Sequence, residues 1–147
     1  MQFECTVTIN QPIDRVIEIF DCVENLKHWQ DGFQSFEHLS GSPGEAGAKS
    51  KMVYQSGKHR IELVETLQVK NLPSEMVGHY EAKQMVNLMT NRFEALGDSQ
   101  TKWTAQVEYL EFRGLMPKLM AKLFPGVFKK QVQKWLDQFK AFAESEG

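Results

Sequence analysis

Two cysteines, Cys5 and Cys22, are all that the chain has in 147 residues, too few for a disulfide framework. They fit a reducing cytoplasm, where a free thiol serves as a small buried hydrophobe, and a cytoplasmic location is the expectation. An excess of one charge is also missing. Seventeen Lys and Arg face nineteen Asp and Glu, for a net charge of -2. A nucleic-acid binder would carry a basic excess or stripe, so no nucleic-acid partner is expected. No apolar run reaches the ~18 residues of a membrane span, which argues against stable insertion. Met1 to Ile9 has neither the basic nor the apolar region of a signal peptide. There is no repeat, linker or low-complexity tract, so residues 1–147 are expected to form one domain. Motifs of phosphate and nucleophile chemistry are absent. The glycines between Gly41 and Gly47 lack a following Lys-Ser/Thr and open no helix. No Gly-x-Ser-x-Gly elbow occurs. His28, His38, His59 and His79 show no ligand spacing, so neither a metal nor a cofactor is expected.

What is present is strong patterning. Phe3, Cys5, Val7 and Ile9 alternate with polar residues, the mark of a half-buried strand. Pro12 opens a helix, with Asn10 or Gln11 as its cap, and Ile13, Val16, Ile17 and Phe20 follow helical spacing. Asp21 can cap a second short helix, Val23 to His28, ahead of Trp29. Strands and tight turns follow: Phe33 to Leu39, Lys49 to Gln55, Ile61 to Val69, Met76 to Ala82, Val86 to Ala95, and a last strand marked by Trp103, Ala105, Val107 and Tyr109. Short connections make an antiparallel meander. After Gly114 the period becomes helical, with one apolar stripe from Leu115 to Phe124 and another from Phe128 to Phe142. Pro125-Gly126 puts a kink or break between them.

This order predicts an α+β fold. About seven antiparallel strands form a curved sheet around a long C-terminal helix, with two short helices after the first strand. Such a sheet does not close perfectly on one helix, which leaves a cavity. Strand parity and helix spacing put Leu63, Leu67, Met89, Phe93, Trp103, Val132, Trp135 and Phe139 on its walls. Ile61 and Val69 share the parity of Leu63 and Leu67, and so does Glu65. A carboxyl on that apolar side is desolvated and becomes a candidate acid-base. The alternatives are a bulge that turns Glu65 outward, or a structural pair with a cation. Arg60 and Arg92, the candidate cations, face outward by parity. Asn87 and Asn91 share the parity of Met89 and Phe93 and would present amides to a ligand; a register off by one would turn them to solvent. Tyr54, Tyr80 and Tyr109 lie on three strands, where a phenol either orients a ligand or is satisfied in the core. Trp29 and Phe128 complete the candidate ligand contacts. Met116 to Phe128 is too apolar for a surface linker, and Lys118, Lys122, Lys129 and Lys130 flank it. A pocket mouth, a transient membrane-surface contact, a dimer interface and plain packing on the sheet all stay open.

The chain resembles the START-like, polyketide-cyclase and pollen-allergen superfamily (SRPBCC), whose members have the helix-grip fold. The resemblance spans nearly the whole chain. It rests on the strand-to-helix passage Ile9-Asn10-Gln11-Pro12-Ile13-Asp14-Arg15-Val16-Ile17, on Trp29, and on Leu39-Ser40-Gly41-Ser42-Pro43-Gly44-Glu45-Ala46-Gly47. Glu62-Leu63-Val64-Glu65-Thr66 and Thr101-Lys102-Trp103-Thr104 add to it. It implies a hydrophobic pocket between sheet and helix. It implies no particular reaction, since members include binding and transfer proteins, cyclases, chaperone activators and toxins. The expected function is binding of a small hydrophobic or amphipathic molecule, lipid- or polyketide-like. The rivals are a cyclase or dehydratase using Glu65, and a protein-interaction module. A monomer and a homodimer both fit.

Overall fold

The computed structural model describes residues 1–146. Its strands are β1 (Gln2–Ile9), β2 (Phe33–Ser40), β3 (Lys49–Ser56), β4 (His59–Asn71), β5 (Glu75–Ala82), β6 (Met85–Ala95) and β7 (Thr101–Phe112). All seven lie in one antiparallel sheet of order β1-β7-β6-β5-β4-β3-β2. The meander from β2 to β7 uses the short turns that the Gly, Pro and Asn punctuation demands. β1 then pairs with β7, which brings the amino terminus to the opposite edge from β2.

The helices are α1 (Ile13–Phe20), α2 (Leu26–Trp29), α3 (Leu115–Leu123) and α4 (Gly126–Ser145), with a 3-10 turn at Val23–Asn25. Pro125 is the residue that caps α4, so the break falls where proline removes a backbone donor. The expected side-chain caps of the first helices do not form. Neither Asn10 nor Gln11 caps α1. Their side chains have other partners: Gln11 Nε2 donates to the Ala143 carbonyl of α4, and Asn10 Oδ1 accepts from Gln100, while the Asn10 backbone N–H donates to Glu144. Asp21 does not cap the next turn but pairs with Lys70 at 2.9 Å.

The core is aromatic. Phe20 of α1, Trp29 of α2, Phe93 of β6, Trp103 of β7 and Phe139 of α4 pack edge-on or stacked, with ring centroids 4.8–6.0 Å apart. Such offset and T-shaped pairs add to the stabilisation from area burial. α4 also runs along the free edge of β1. Gln133 Nε2 donates to the Thr6 carbonyl and Lys140 Nζ to the Thr8 carbonyl. An edge strand left bare would be a template for further pairing, and these side chains occupy it.

Candidate functional site

The inner face of the sheet divides into a sealed half and a half that keeps accessible surface. The sealed half takes several residues expected on the cavity wall. Trp103 and Phe139 are 0% exposed, and Asn91 is 2%. A side chain with no accessible surface borders no space large enough for a ligand. Asn91 faces inward as its parity predicts, but its Oδ1 accepts the Trp103 indole N–H at 3.0 Å. A buried indole donor needs such a partner, so the amide is spent on the core. Phe93, Trp29, Leu67 and Tyr54 are also buried. The Tyr54 hydroxyl donates to Gln30 at 2.7 Å, and its ring stacks on Trp135 at 5.5 Å. Trp29, Tyr54, Phe93, Trp103 and Phe139 belong to the hydrophobic core, and Asn91 is bonded into it.

The other half keeps accessible surface. Leu63, Glu65, Tyr80, Met89, Phe128, Val132 and Trp135 are all half-buried. The register explains the grouping. Glu65 of β4 stands opposite Ser50 of β3 and Tyr80 of β5; Tyr80 stands opposite Asn87 of β6, and Asn87 opposite Tyr109 of β7. One cross-strand row thus carries the polar groups. Phe128, at the start of α4, closes over its far end against Tyr109 and Phe112, with centroids 5.1 and 5.5 Å away.

Glu65 points inward, and its carboxylate accepts the Tyr80 hydroxyl at 2.8 Å. Burial raises the Glu65 pKa, while the Tyr80 hydrogen bond and the positive charge of Lys70 pull it down. Burial and the Glu65 charge together hold the Tyr80 phenol well above its ordinary value. Burial pushes Tyr109 up to about 12. The indole N–H of Trp135 is a further buried donor without a partner among the described residues.

Lys70 and Gly78 are contributors that strand parity missed. A bulge between Leu67 and Val69 shifts the alternation by one residue. Val69 therefore leaves the inner face, and Lys70, opposite Met76, takes its place. Lys70 Nζ binds Asp21 and donates to the Gly44 carbonyl at 2.7 Å. Arg60 and Arg92 do face outward, paired with Glu62 and Glu75. Ile61 shares the inner parity but is exposed, because β4 extends beyond β5, whose last partner is Leu63. The signal for Gly78 is that a Cβ there would lie 2.5 Å from the Tyr80 hydroxyl. The phenol lies flat over the bare backbone, which aims it at Glu65.

A separate cleft of about 490 Å³ opens between α2, the turn into β2 and α4. Lys27, His28, Gln30 and Asp31 line it together with the apolar Trp29, Phe33 and Phe142.

No protein-family model and no curated protein sequence matches the chain. Solved structures do match in shape. An aromatase/cyclase from Streptomyces sp. R1128 superposes with a TM-score of 0.81 at 15% identity, covering 98% of this chain and 93% of its own. A START superfamily protein from Mycobacterium smegmatis gives 0.76 at 12% identity, covering 99% of both chains. A norcoclaurine synthase from Thalictrum flavum, solved with dopamine and hydroxybenzaldehyde, gives 0.71 at 12%, covering 100% of this chain and 88% of its own. The chain has the helix-grip fold. At these identities the likeness speaks for the architecture, and the chemistry of this helix-grip protein has to be argued from its own side chains.

Proposed function

We propose that this helix-grip protein binds a small, mainly apolar molecule that carries at least one hydrogen-bonding group. The observation that supports the reading is the grouping of half-buried inward side chains, which we read as the lining of a recess. Leu63, Met89, Phe128, Val132 and Trp135 give it apolar walls, and one polar row, Glu65, Tyr80 and Asn87, crosses its floor. Few polar groups in an apolar concavity are the usual layout of a small-molecule site, where the apolar surface supplies affinity and the polar groups fix orientation.

A catalytic reading is favoured by one observation, the Glu65–Tyr80 hydrogen bond in a desolvated setting. A carboxyl with a raised pKa can take a proton from carbon next to a ligand carbonyl, and a phenol can donate to the oxygen as charge develops there. That is the chemistry of aldol-type ring closure and dehydration. The aromatase/cyclase and the norcoclaurine synthase that share the architecture are enzymes, which supports this reading.

The test is titration of the purified protein with a series of aromatic ketones and phenols, followed by tryptophan fluorescence and native mass spectrometry. A saturable change that Trp135→Phe alters and Glu65→Gln weakens supports binding in the recess. An unchanged affinity in both variants would place any bound molecule elsewhere. Turnover of a bound ketone by the wild type, lost in Glu65→Gln while binding persists, would decide for catalysis.

A further inference from the structure

The outward face of α3 is apolar, the reverse of an ordinary surface helix. Pro117, Met120 and Ala121 are the only α3 residues that are buried or half-buried. At 3.6 residues per turn, the face opposite Pro117 and Ala121 carries Leu115, Leu119 and Leu123. Leu115 is 81% exposed and Met116 is 65%. Phe124 and Val127, in the corner before α4, are exposed as well. Six of the twelve exposed large hydrophobic residues among the described residues thus fall between positions 115 and 127. Scattered apolar residues on a surface need no explanation, whereas a contiguous cluster marks an interaction face.

The charge around this face is of one sign. From Arg113 to Leu136 the chain has six basic residues and no acidic one, within a protein whose net charge is -2. Arg113 and Lys134 are neutralised by Glu81, Glu111 and Asp31. Lys118, Lys122, Lys129 and Lys130 are exposed and form no salt bridge among the described residues. Lys118 and Lys122 lie on one flank of the apolar stripe, one turn apart. A second copy of the chain fits this surface poorly. A two-fold contact apposes each patch to itself, so the lysines of the two copies would gather without a counter-charge.

We propose that α3 and the corner into α4 form a docking surface for an anionic lipid bilayer. Leucine, methionine and phenylalanine side chains enter the boundary between headgroups and acyl chains, and the lysines extend beside them to lipid phosphates. The place of α3 in the fold gives this a consequence. Its predecessor Phe112 pairs with Met85 at the end of the sheet where Leu63 pairs with Ala82, and Phe128 follows it. The docked face therefore borders the end of the recess that Phe128 covers. The docking itself does not depend on what the recess binds.

The experiment is co-sedimentation of the intact protein with vesicles of phosphatidylglycerol mixed with phosphatidylcholine, and with phosphatidylcholine alone. Binding to the anionic vesicles, weakened by salt, is expected. Each lysine near the surface is worth about fivefold in affinity, so Lys118→Gln/Lys122→Gln should lose about 25-fold if the two act independently. Leu119→Ser/Leu123→Ser should also reduce binding. These side chains are exposed, and circular dichroism checks that the variants keep the fold. Failure to bind anionic vesicles, equal binding to neutral ones, or insensitivity to the lysine changes overturns the proposal. So does a protein dimer in sedimentation equilibrium that the leucine changes dissociate.

Discussion

Gly78 does at the residue scale what no side chain could do. Every other residue would place a Cβ against the Tyr80 ring, 2.5 Å from its oxygen and 2.7 Å from two ring carbons. Gly78→Ala is therefore expected to push the phenol off the strand and break its bond to Glu65. Overpacking of this kind costs about 1–3 kcal/mol, measurable by urea denaturation. The same variant has a second readout. The Tyr80 hydrogen bond is one of the two influences that hold the Glu65 pKa down. Losing it should move the Glu65 titration upward in a carbon-detected NMR experiment. An unchanged titration would mean that the ring keeps its place despite the methyl group. Asn91 teaches the opposite lesson: an inward amide looks like a ligand contact until a buried tryptophan claims it.

At the scale of the element, α4 has two roles separated along one face. Its second half is sealed, with Leu136, Phe139 and Ala143 all 0% exposed. Its first half, with Phe128, Val132 and Trp135, is half-buried over the recess. Truncating a large core ring removes transfer energy and leaves a cavity among neighbours that cannot collapse. Phe139→Ala is expected to destabilise by about 3–5 kcal/mol. Trp135→Ala should cost less, although its ring is the larger. Part of the ring already has accessible surface, and its buried N–H has no partner to lose. Chemical denaturation of the two variants checks the order. A larger loss for Trp135→Ala would mean that the recess is closed around that ring in solution.

For the molecule as a whole, the recessed carboxyl leaves a signature in stability against pH. The pKa of Glu65 is raised on folding, so between the unfolded and folded values the native state binds more proton than the unfolded state. The contribution is fully present below the unfolded pKa and is lost as pH rises through the folded pKa. Above that point the charged carboxylate destabilises the fold. Glu65→Gln, which is neutral at every pH, should flatten this part of the profile and gain stability relative to wild type at neutral pH. Thermal or urea denaturation from acid to neutral pH provides the comparison. A wild type that instead gains stability relative to Glu65→Gln as pH rises through this interval would show that Lys70 and Tyr80 outweigh burial.

The sequence by itself determined the elements and their order, because period two and period 3.6 are local signals that tertiary packing only has to accept. The strand from Phe33, the turn at Ser56-Gly57, the break at Pro125 and the inward parity of Leu63, Glu65 and Asn91 are all readable from neighbouring residues. Tertiary structure decided which inward residues share a recess and which are sealed. Trp103 and Trp135 have the same chemistry and both face the interior, yet Phe20 of α1 and Trp29 of α2 both pack on Trp103, whereas of the two only Trp29 meets Trp135. The bulge after Leu67 exchanged Val69 for Lys70, a cation that no pattern of alternation could place near Glu65. The apolar face of α3 was legible as a stripe. Only the fold shows that the stripe points outward, since a helix buries whichever face its neighbours meet, and here they meet Pro117.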